Sequence, residues 1–314
     1  MKLLSFTITL FLLVTTAYGK TEPLVFTKEH SQTAMEIIDT LSNKHYKKQI
    51  VDDSFSSRLL DSYFEALDPA KAHFLKSDVA QFEASRYSFD EALADGDLAQ
   101  GFAIFNLYRE RIAERLESNI ALLEGDFSFD FSLEETINLD RDSRSWMASK
   151  AETADYWRKR MKDSLLRLVL SGKEADAARE LLRKRYANQL KQLARQDADD
   201  AVQGFINVLA GIYDPHTSYL APRTLENFNI SMSLSLEGIG AVLQLEDEFT
   251  KIVRFVPGGP TDKQGTLAAE DKIIGVAQDD DDMVDVIGWR LDDVVDLIRG
   301  KKDSRVRLEV IPGT

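Results

Sequence analysis

The strongest constraint on the fold is a change of hydrophobic period part-way along the 314-residue chain. From about Glu29 to Ile212 the apolar residues recur at helical spacing. Ala34, Ile37, Ile38 and Leu41 fall at i, i+3, i+4 and i+7, and Phe55, Leu59, Tyr63 and Leu67 repeat every four positions until Asp68-Pro69 breaks the run. Longer stripes follow. Leu98, Phe102, Phe105, Ile112, Leu116, Ile120 and Leu123 predict one helix, Trp157, Met161, Leu165 and Leu168 a second ending near Gly172, and Ala178, Leu182, Tyr186, Leu190 and Leu193 a third. Between the first two, Phe127-Ser-Phe-Asp-Phe131 alternates strictly and predicts a short extended segment laid on the bundle. Tyr213-Asp214-Pro215 then stops the last helix, and glycine, absent from 126 to 171, becomes frequent after 238. Beyond that point Ala241 to Leu245, Lys251 to Phe255 and Lys272 to Val276 read as strands, the first two joined by the acidic turn Glu246 to Glu248. A short helix is expected from about Trp289 to Arg299, and Arg305 to Ile311 alternates as a half-buried strand does. The expected class is α+β: a mainly helical domain over residues 20–222, followed by a β-rich domain over 223–314.

The first nineteen residues stand apart. Lys2 precedes an apolar run from Leu3 to Val14, and the small residues Ala17 and Gly19 make a cleavage site before Lys20. This is the pattern of a secretory signal peptide, and it predicts an exported chain beginning at Lys20. At about 12 residues the run is shorter than the roughly 20 that a spanning helix needs, and no later segment is apolar enough to span.

Charge and composition remove several classes of function. The chain carries 39 Lys and Arg against 53 Asp and Glu, a net −14, so it has no general attraction for nucleic-acid phosphate. It has no cysteine, which excludes disulfides, thiol nucleophiles and thiolate metal sites. His30, His45, His73 and His216 are too scattered for a metal cluster, and no cofactor motif is present. No Gly-x-Ser-x-Gly elbow or Ser-x-x-Lys pair occurs, and every lysine stands in a polar, charge-rich stretch, unlike a catalytic lysine, which burial among apolar groups must deprotonate. No catalytic residue and no metal ligand is therefore assigned. Asp279 to Asp282 lack the alternation and central glycine of a calcium loop and read as a solvated turn between strand and helix. Asp214, Pro215 and His216 read first as a helix stop.

The informative stretch is Ser235-Leu-Glu-Gly238-Ile-Gly240-Ala-Val-Leu-Gln-Leu245. A Gly-apolar-Gly loop before a strand can point consecutive N–H groups into one concavity, and the strand edge beyond it can pair with an extended peptide. Gly238, Ile239, Gly240 and Ala241 are the candidate carboxylate-binding loop. Val242 and Leu243 on the strand, with Leu291, Val295 and Ile298 on one face of the short helix, are the candidate walls of an apolar groove. A tight turn and a helix face that is all core would use the same residues, and the pattern alone leaves both readings open.

These residues also carry a resemblance. The glycine loop, Pro257-Gly-Gly-Pro260, Asp271-Lys-Ile-Ile274 and the run Leu291 to Val310 together resemble a PDZ domain. Tyr213-Asp-Pro-His-Thr-Ser-Tyr-Leu220, Phe228-Asn and Met232-Ser-Leu-Ser-Leu-Glu-Gly-Ile-Gly-Ala-Val-Leu243 resemble the approach to that domain in the bacterial tail-specific proteases, also called carboxyl-terminal processing peptidases. Val284 to Val295 is similar to the same family, as is the helical region in front. The resemblance implies a periplasmic serine endopeptidase of a Gram-negative bacterium. It would recognise protein or peptide substrates by a nonpolar carboxyl terminus held in the PDZ groove, and cut them internally with a Ser activated by a Lys. In the family both catalytic residues lie in a domain after the PDZ domain, so the 314 residues are expected to be a truncated chain, its PDZ domain lacking the last strand, and inactive alone. Glu270 stands where the family usually has a Gly, as does Asp303, so both turns are expected to be altered. A free-standing binding module or inhibitor, and a helical scaffold with an incidental PDZ-like appendage, are the competing readings; the encoding DNA beyond Thr314 separates the first from the enzyme.

Overall fold

The computed structural model describes residues 22–138, 140–141, 143–233, 238–246, 249–299 and 304–313. The leader expected over residues 1–19 and the turns expected at Asp247 and Asp303 lie outside the described residues. The chain divides into two compact units, residues 1–215 and 216–314.

The first unit is helical: α1 (Lys28–Lys44), α2 (Asp53–Leu67), α3 (Lys76–Ala80), α4 (Phe89–Ala94), α5 (Ala99–Glu124), α6 (Lys150–Leu170), α7 (Ala175–Ala194) and α8 (Ala198–Tyr213). Starts are set by side-chain caps, with Thr27, Asp52 and Asp197 each accepting a backbone N–H from the first turn of α1, α2 and α8. At 26 residues α5 is about 39 Å long. Its first half packs on α8, where a Cβ on Gly101 would sit 3.1 Å from the Phe205 ring, so a larger residue there would require the ring to give by a few tenths of an ångström. Its second half supplies Leu116, Ile120 and Leu123 to a core completed by Met161 and Leu165 of α6 and Ala178, Leu182 and Tyr186 of α7.

Phe127 to Phe131 takes neither helix nor strand, and among the described residues no strand of this unit pairs with it. Arg179 donates to the carbonyls of Leu123 at 2.5 Å and Phe127 at 2.7 Å. Only Phe129 packs on the core, while Phe127 and Phe131 flank it with ring centroids 4.9 and 6.4 Å away and remain exposed. Lys162 is buried, at 8% exposure, against polar partners: it donates to the Leu133 carbonyl at 2.9 Å and to Glu135 at 2.6 Å. Among the described residues no helix is long and apolar enough to cross a membrane.

The second unit contains α9 (Pro222–Ser233), β1 (Ala241–Glu246), β2 (Phe249–Phe255), α10 (Pro260–Gln264), β3 (Lys272–Gln278), β4 (Val284–Asp285), α11 (Leu291–Arg299) and β5 (Val306–Ile311). The sheet is antiparallel throughout, ordered β1-β2-β3-β4 with β5 also paired to β3. Its core is Ile252, Ile273, Val276, Val286, Val294 and Ile298. Three elements were not legible. Helices α9 and α10 each open on a proline, the first at the expected domain boundary and the second at the end of Pro257-Gly-Gly-Pro260, and β4 is two residues long. As a result Asp279 to Asp282 lie between β3 and β4, not between a strand and a helix. Arg305 and Arg307, at the start of β5, pin this turn: the Arg305 N–H donates to the Asp279 carboxylate and the Arg307 guanidinium to the Asp279 carbonyl, both at 2.9 Å.

Candidate peptide-binding site

Strand β1 pairs with β2 alone among the described strands, so its other edge is unpaired. Such an edge presents backbone donors and acceptors to any extended chain laid beside it. Helix α11 packs against β1 and β3. The β1–β2 register slips between Val242 and Leu243, with Val253 on β2 as the extra residue.

The loop leading into β1 is built on two glycines with positive φ, +128° at Gly238 and +74° at Gly240. The carbonyls of Ile239 and Gly240 are engaged. The Ile239 carbonyl accepts from the Thr261 N–H at 3.0 Å and from the Thr261 hydroxyl, and the Gly240 carbonyl accepts from the Val256 N–H at 2.8 Å. The donor side is not. None of the backbone hydrogen bonds of the loops among the described residues is donated by Gly238, Ile239 or Gly240. A loop whose carbonyls are tied back while its N–H groups stay open is polarised toward an anion.

Behind the loop, a Cβ on Gly240 would lie 3.0 Å from Pro260 Cδ and 3.1 Å from Gly259 Cα. This explains Pro257-Gly-Gly-Pro260, whose role the sequence left open: it is the floor on which the glycine loop rests, and Thr261, next in sequence, is its clamp. The missed signal was the clamp, a lone threonine after a proline.

The proposed groove residues separate into two groups. Ile239, Ala241 and Leu243 pack against the core of the unit, whereas Val242 does not. On α11, Leu291 and Val295 are half-buried and outside that core, one turn apart, while Ile298 is buried within it beside Val294. The helix thus has an inner ridge of Val294 and Ile298 and an outer ridge of Leu291 and Val295. Acidic Asp292 and Asp293 in the first turn and Arg299 in the last complement the helix dipole. At the far end of β1, Lys251 bridges Glu246 and Glu270 at 2.6 and 3.0 Å; hydrogen bonds to these carboxylates, Glu246 first, raise its pKa above the usual lysine value.

His30 pairs with Asp199, and the metal-competent carboxylate group found among the described residues, Asp53, Asp90 and Glu91, contains no histidine.

An edge strand entered through a glycine loop and flanked by a short helix is the build of a PDZ domain, and residues 227–311 match the PDZ domain family model. Residues 37–223 match the model described as the tail specific protease N-terminal domain, and the chain belongs to that family. It is 40% identical over 287 residues to the tail-specific protease of Haemophilus influenzae, covering 90% of this chain and 41% of that one. It is 33% identical over 146 residues to the carboxy-terminal processing protease CtpA of Bacillus subtilis, covering 45% and 29% respectively. A crystal structure of the PDZ domain of a Vibrio cholerae carboxy-terminal protease, in complex with peptide, is 56% identical, covering 25% of this chain and 81% of that chain with a TM-score of 0.25. The chain spans less than half the length of these two curated relatives.

Proposed function

We propose that the second unit captures the free carboxyl terminus of protein chains that end in apolar residues. It would act as the substrate-recognition part of a periplasmic serine endopeptidase that cuts its substrate internally with a Ser/Lys pair outside these 314 residues. The observation that carries this reading is the open donor side of the Gly238 to Gly240 loop at the head of an unpaired strand edge. The ligand adds a strand along β1, its carboxylate sits on the loop N–H groups, and its last side chain lies between β1 and the outer ridge of α11. Export rests on the leader pattern of residues 1–19, with Lys20 as the mature amino terminus.

Each apolar side chain buried contributes about 1.5 to 3 kcal/mol, and ordering a flexible peptide cancels much of this. A dissociation constant near micromolar or weaker is expected, about −8 kcal/mol at best. The test is fluorescence anisotropy with a labelled Gly/Ser decapeptide ending in Val-Ala-Leu, as the free acid and as the amide. The acid should bind and the amide should bind at least several-fold more weakly; Leu291→Asp and Val295→Asp should weaken the acid by placing charge on the apolar ridge. Equal binding of acid and amide by folded protein refutes the assignment.

A further inference from the structure

Away from the peptide groove, the helical unit holds a cavity of about 30 Å³ between the chain leading into α3, helix α5 and the start of α6. That is room for one water-sized species. Its charged lining is mostly cationic, with Arg111, Arg115 and Lys150 against the single carboxylate of Glu114. Glu114 is shared by Arg111 at 2.9 Å and Lys150 at 3.2 Å, and the rest of the Arg111 fork is bound to Asp78 at 2.7 Å. Arg115 belongs to no ion pair among the described residues. Its Nε, which can only donate, is shielded from solvent and has no acceptor. His73 lines the same cavity, and its Nδ1 is likewise shielded and without a partner. Buried polar atoms nearly always have partners, so two such atoms on one small cavity are out of the ordinary. The imidazole is held in place by Trp157 and Tyr108, whose ring centroids are 5.2 and 5.8 Å away. Asp68, whose charge also reaches His73, is committed to the backbone N–H groups of Ala72, His73 and Phe74 at 2.9, 2.8 and 3.1 Å.

We propose that this cavity is a binding site for a monatomic monovalent anion, chloride in ordinary solution, held by Arg115 and His73. A water of the same size would give both nitrogens a hydrogen-bond partner but leave the guanidinium charge unanswered, and a half-buried charge without a counter-charge is costly. An anion answers both needs. Arg115 donates its Nε–H, and His73 donates from Nδ1 in the neutral tautomer that carries its proton there. Burial lowers the His73 pKa, with the Asp68 charge opposing and the Arg115 charge assisting, so the ring is neutral at physiological pH and within electrostatic reach of Arg115. A tetrahedral oxyanion is too large for a volume of one water. The bound ion would tie together three stretches distant in sequence: the chain before α3, the middle of α5 and, through Lys150, the first turn of α6.

Thermal melts of the full chain in sodium chloride, with sodium gluconate holding the ionic strength constant, read the site directly. Gluconate does not fit the cavity. Chloride should therefore raise the melting temperature along a saturable curve, by about 3 °C at ten times the half-saturating concentration, and bromide should do the same. Arg115→Met removes the charge and keeps most of the stem; it should abolish the chloride increment and, in gluconate, melt no lower than wild type. His73→Phe keeps a ring between Trp157 and Tyr108 and removes the donor; it should raise the half-saturating concentration about tenfold. A cavity that holds water predicts equal melting in the two salts, and that result overturns the proposal. So does a chloride increment that both variants retain, because the ion then binds elsewhere, and so does an Arg115→Met loss of equal size in both salts, which marks a purely structural side chain. If neither variant folds, crystals of the wild-type chain grown in bromide decide the matter: an anomalous-scattering peak in contact with Arg115 and His73 supports the site, and its absence overturns it.

Discussion

At Glu270 the backbone takes a φ of +74°, a left-handed conformation that crowds the Cβ of an L-residue. The residue sits just before Asp271, whose buried carboxylate accepts N–H groups from Ala268 at 2.8 Å and Gly313 at 2.9 Å and so fixes the turn into β3. The turn is thus kept in a glycine-type conformation by a residue that is strained in it. Its compensation is the contact with Lys251 at 3.0 Å, an exposed ion pair that water and salt screen. Glu270→Gly removes strain of about 1 to 2 kcal/mol against a glycine entropy cost of about 0.5 to 1 kcal/mol, and loses that contact. Glu270→Ala loses the contact and keeps the strain. Denaturant unfolding should therefore rank Gly above Ala, the reverse of the order at an ordinary position, and the ranking Ala above Gly would show that the strain is absent. The departure at Glu270 was visible in the sequence as a missing glycine, but the expected alteration of the turn is not what the structure shows: the backbone keeps the left-handed conformation and the residue yields. The buried turn carboxylate decides for the residue. The same kind of long-range hydrogen bonding hid Thr261 and the buried Lys162, since neither has a local pattern that announces a partner far along the chain.

Long amphipathic helices and the alternating strands were legible because burial of one face leaves a period in the sequence. Elements without a period were not: α3, α4, α10 and β4 are too short to show one. In the stretch after α5, Phe127, Phe129 and Phe131 alternate without belonging to a sheet, and Phe129 alone of the three packs on the helical core. This segment runs on to Glu135, where an ion cluster fastens it to α6: Glu135 meets Arg158 and also Lys162, the latter at 2.6 Å. The hydrogen bond from Arg158, then that from Lys162, lowers the Glu135 pKa to about 2. A carboxyl whose folded pKa is depressed stabilises above its unfolded value, about 4.3, and that stability is lost as pH falls through the folded value. The fastening should therefore hold at neutral pH, weaken below about pH 4 and be gone near pH 2, with Glu135→Gln reproducing the acid behaviour at pH 7. Hydrogen exchange over residues 127–137 reads this directly, and protection unchanged in the Gln variant would show that the phenylalanines, not the ions, hold the segment down. Removal of the partner also leaves Lys162 buried with only the Leu133 carbonyl, so the variant should lose stability overall.

At the scale of the whole molecule the two units were separable in the sequence because their cores have different periods, and they are equally acidic. Residues 1–215 carry 28 Lys and Arg against 35 Asp and Glu, the same net −7 as residues 216–314. A field of one sign over both units acts on every approaching ligand within about a Debye length, roughly 10 Å at 0.1 M salt. For the proposed capture of chain ends this sets a dependence on the charge upstream of the bound terminus, which lies outside the groove and near the acidic surface. Peptides ending in the same three residues but carrying two lysines upstream should bind several-fold more tightly at about 20 mM salt than peptides carrying two glutamates, chiefly through faster association. The difference should shrink toward unity at about 0.5 M salt, where the Debye length falls to roughly 4 Å. The contact of the terminal carboxylate with the loop N–H groups acts at hydrogen-bond range and should be screened far less, so the acid-to-amide ratio should survive salt that abolishes the upstream preference. Stopped-flow anisotropy with the four peptides separates the two effects: an upstream preference that persists at high salt would point to a specific contact in place of the long-range field.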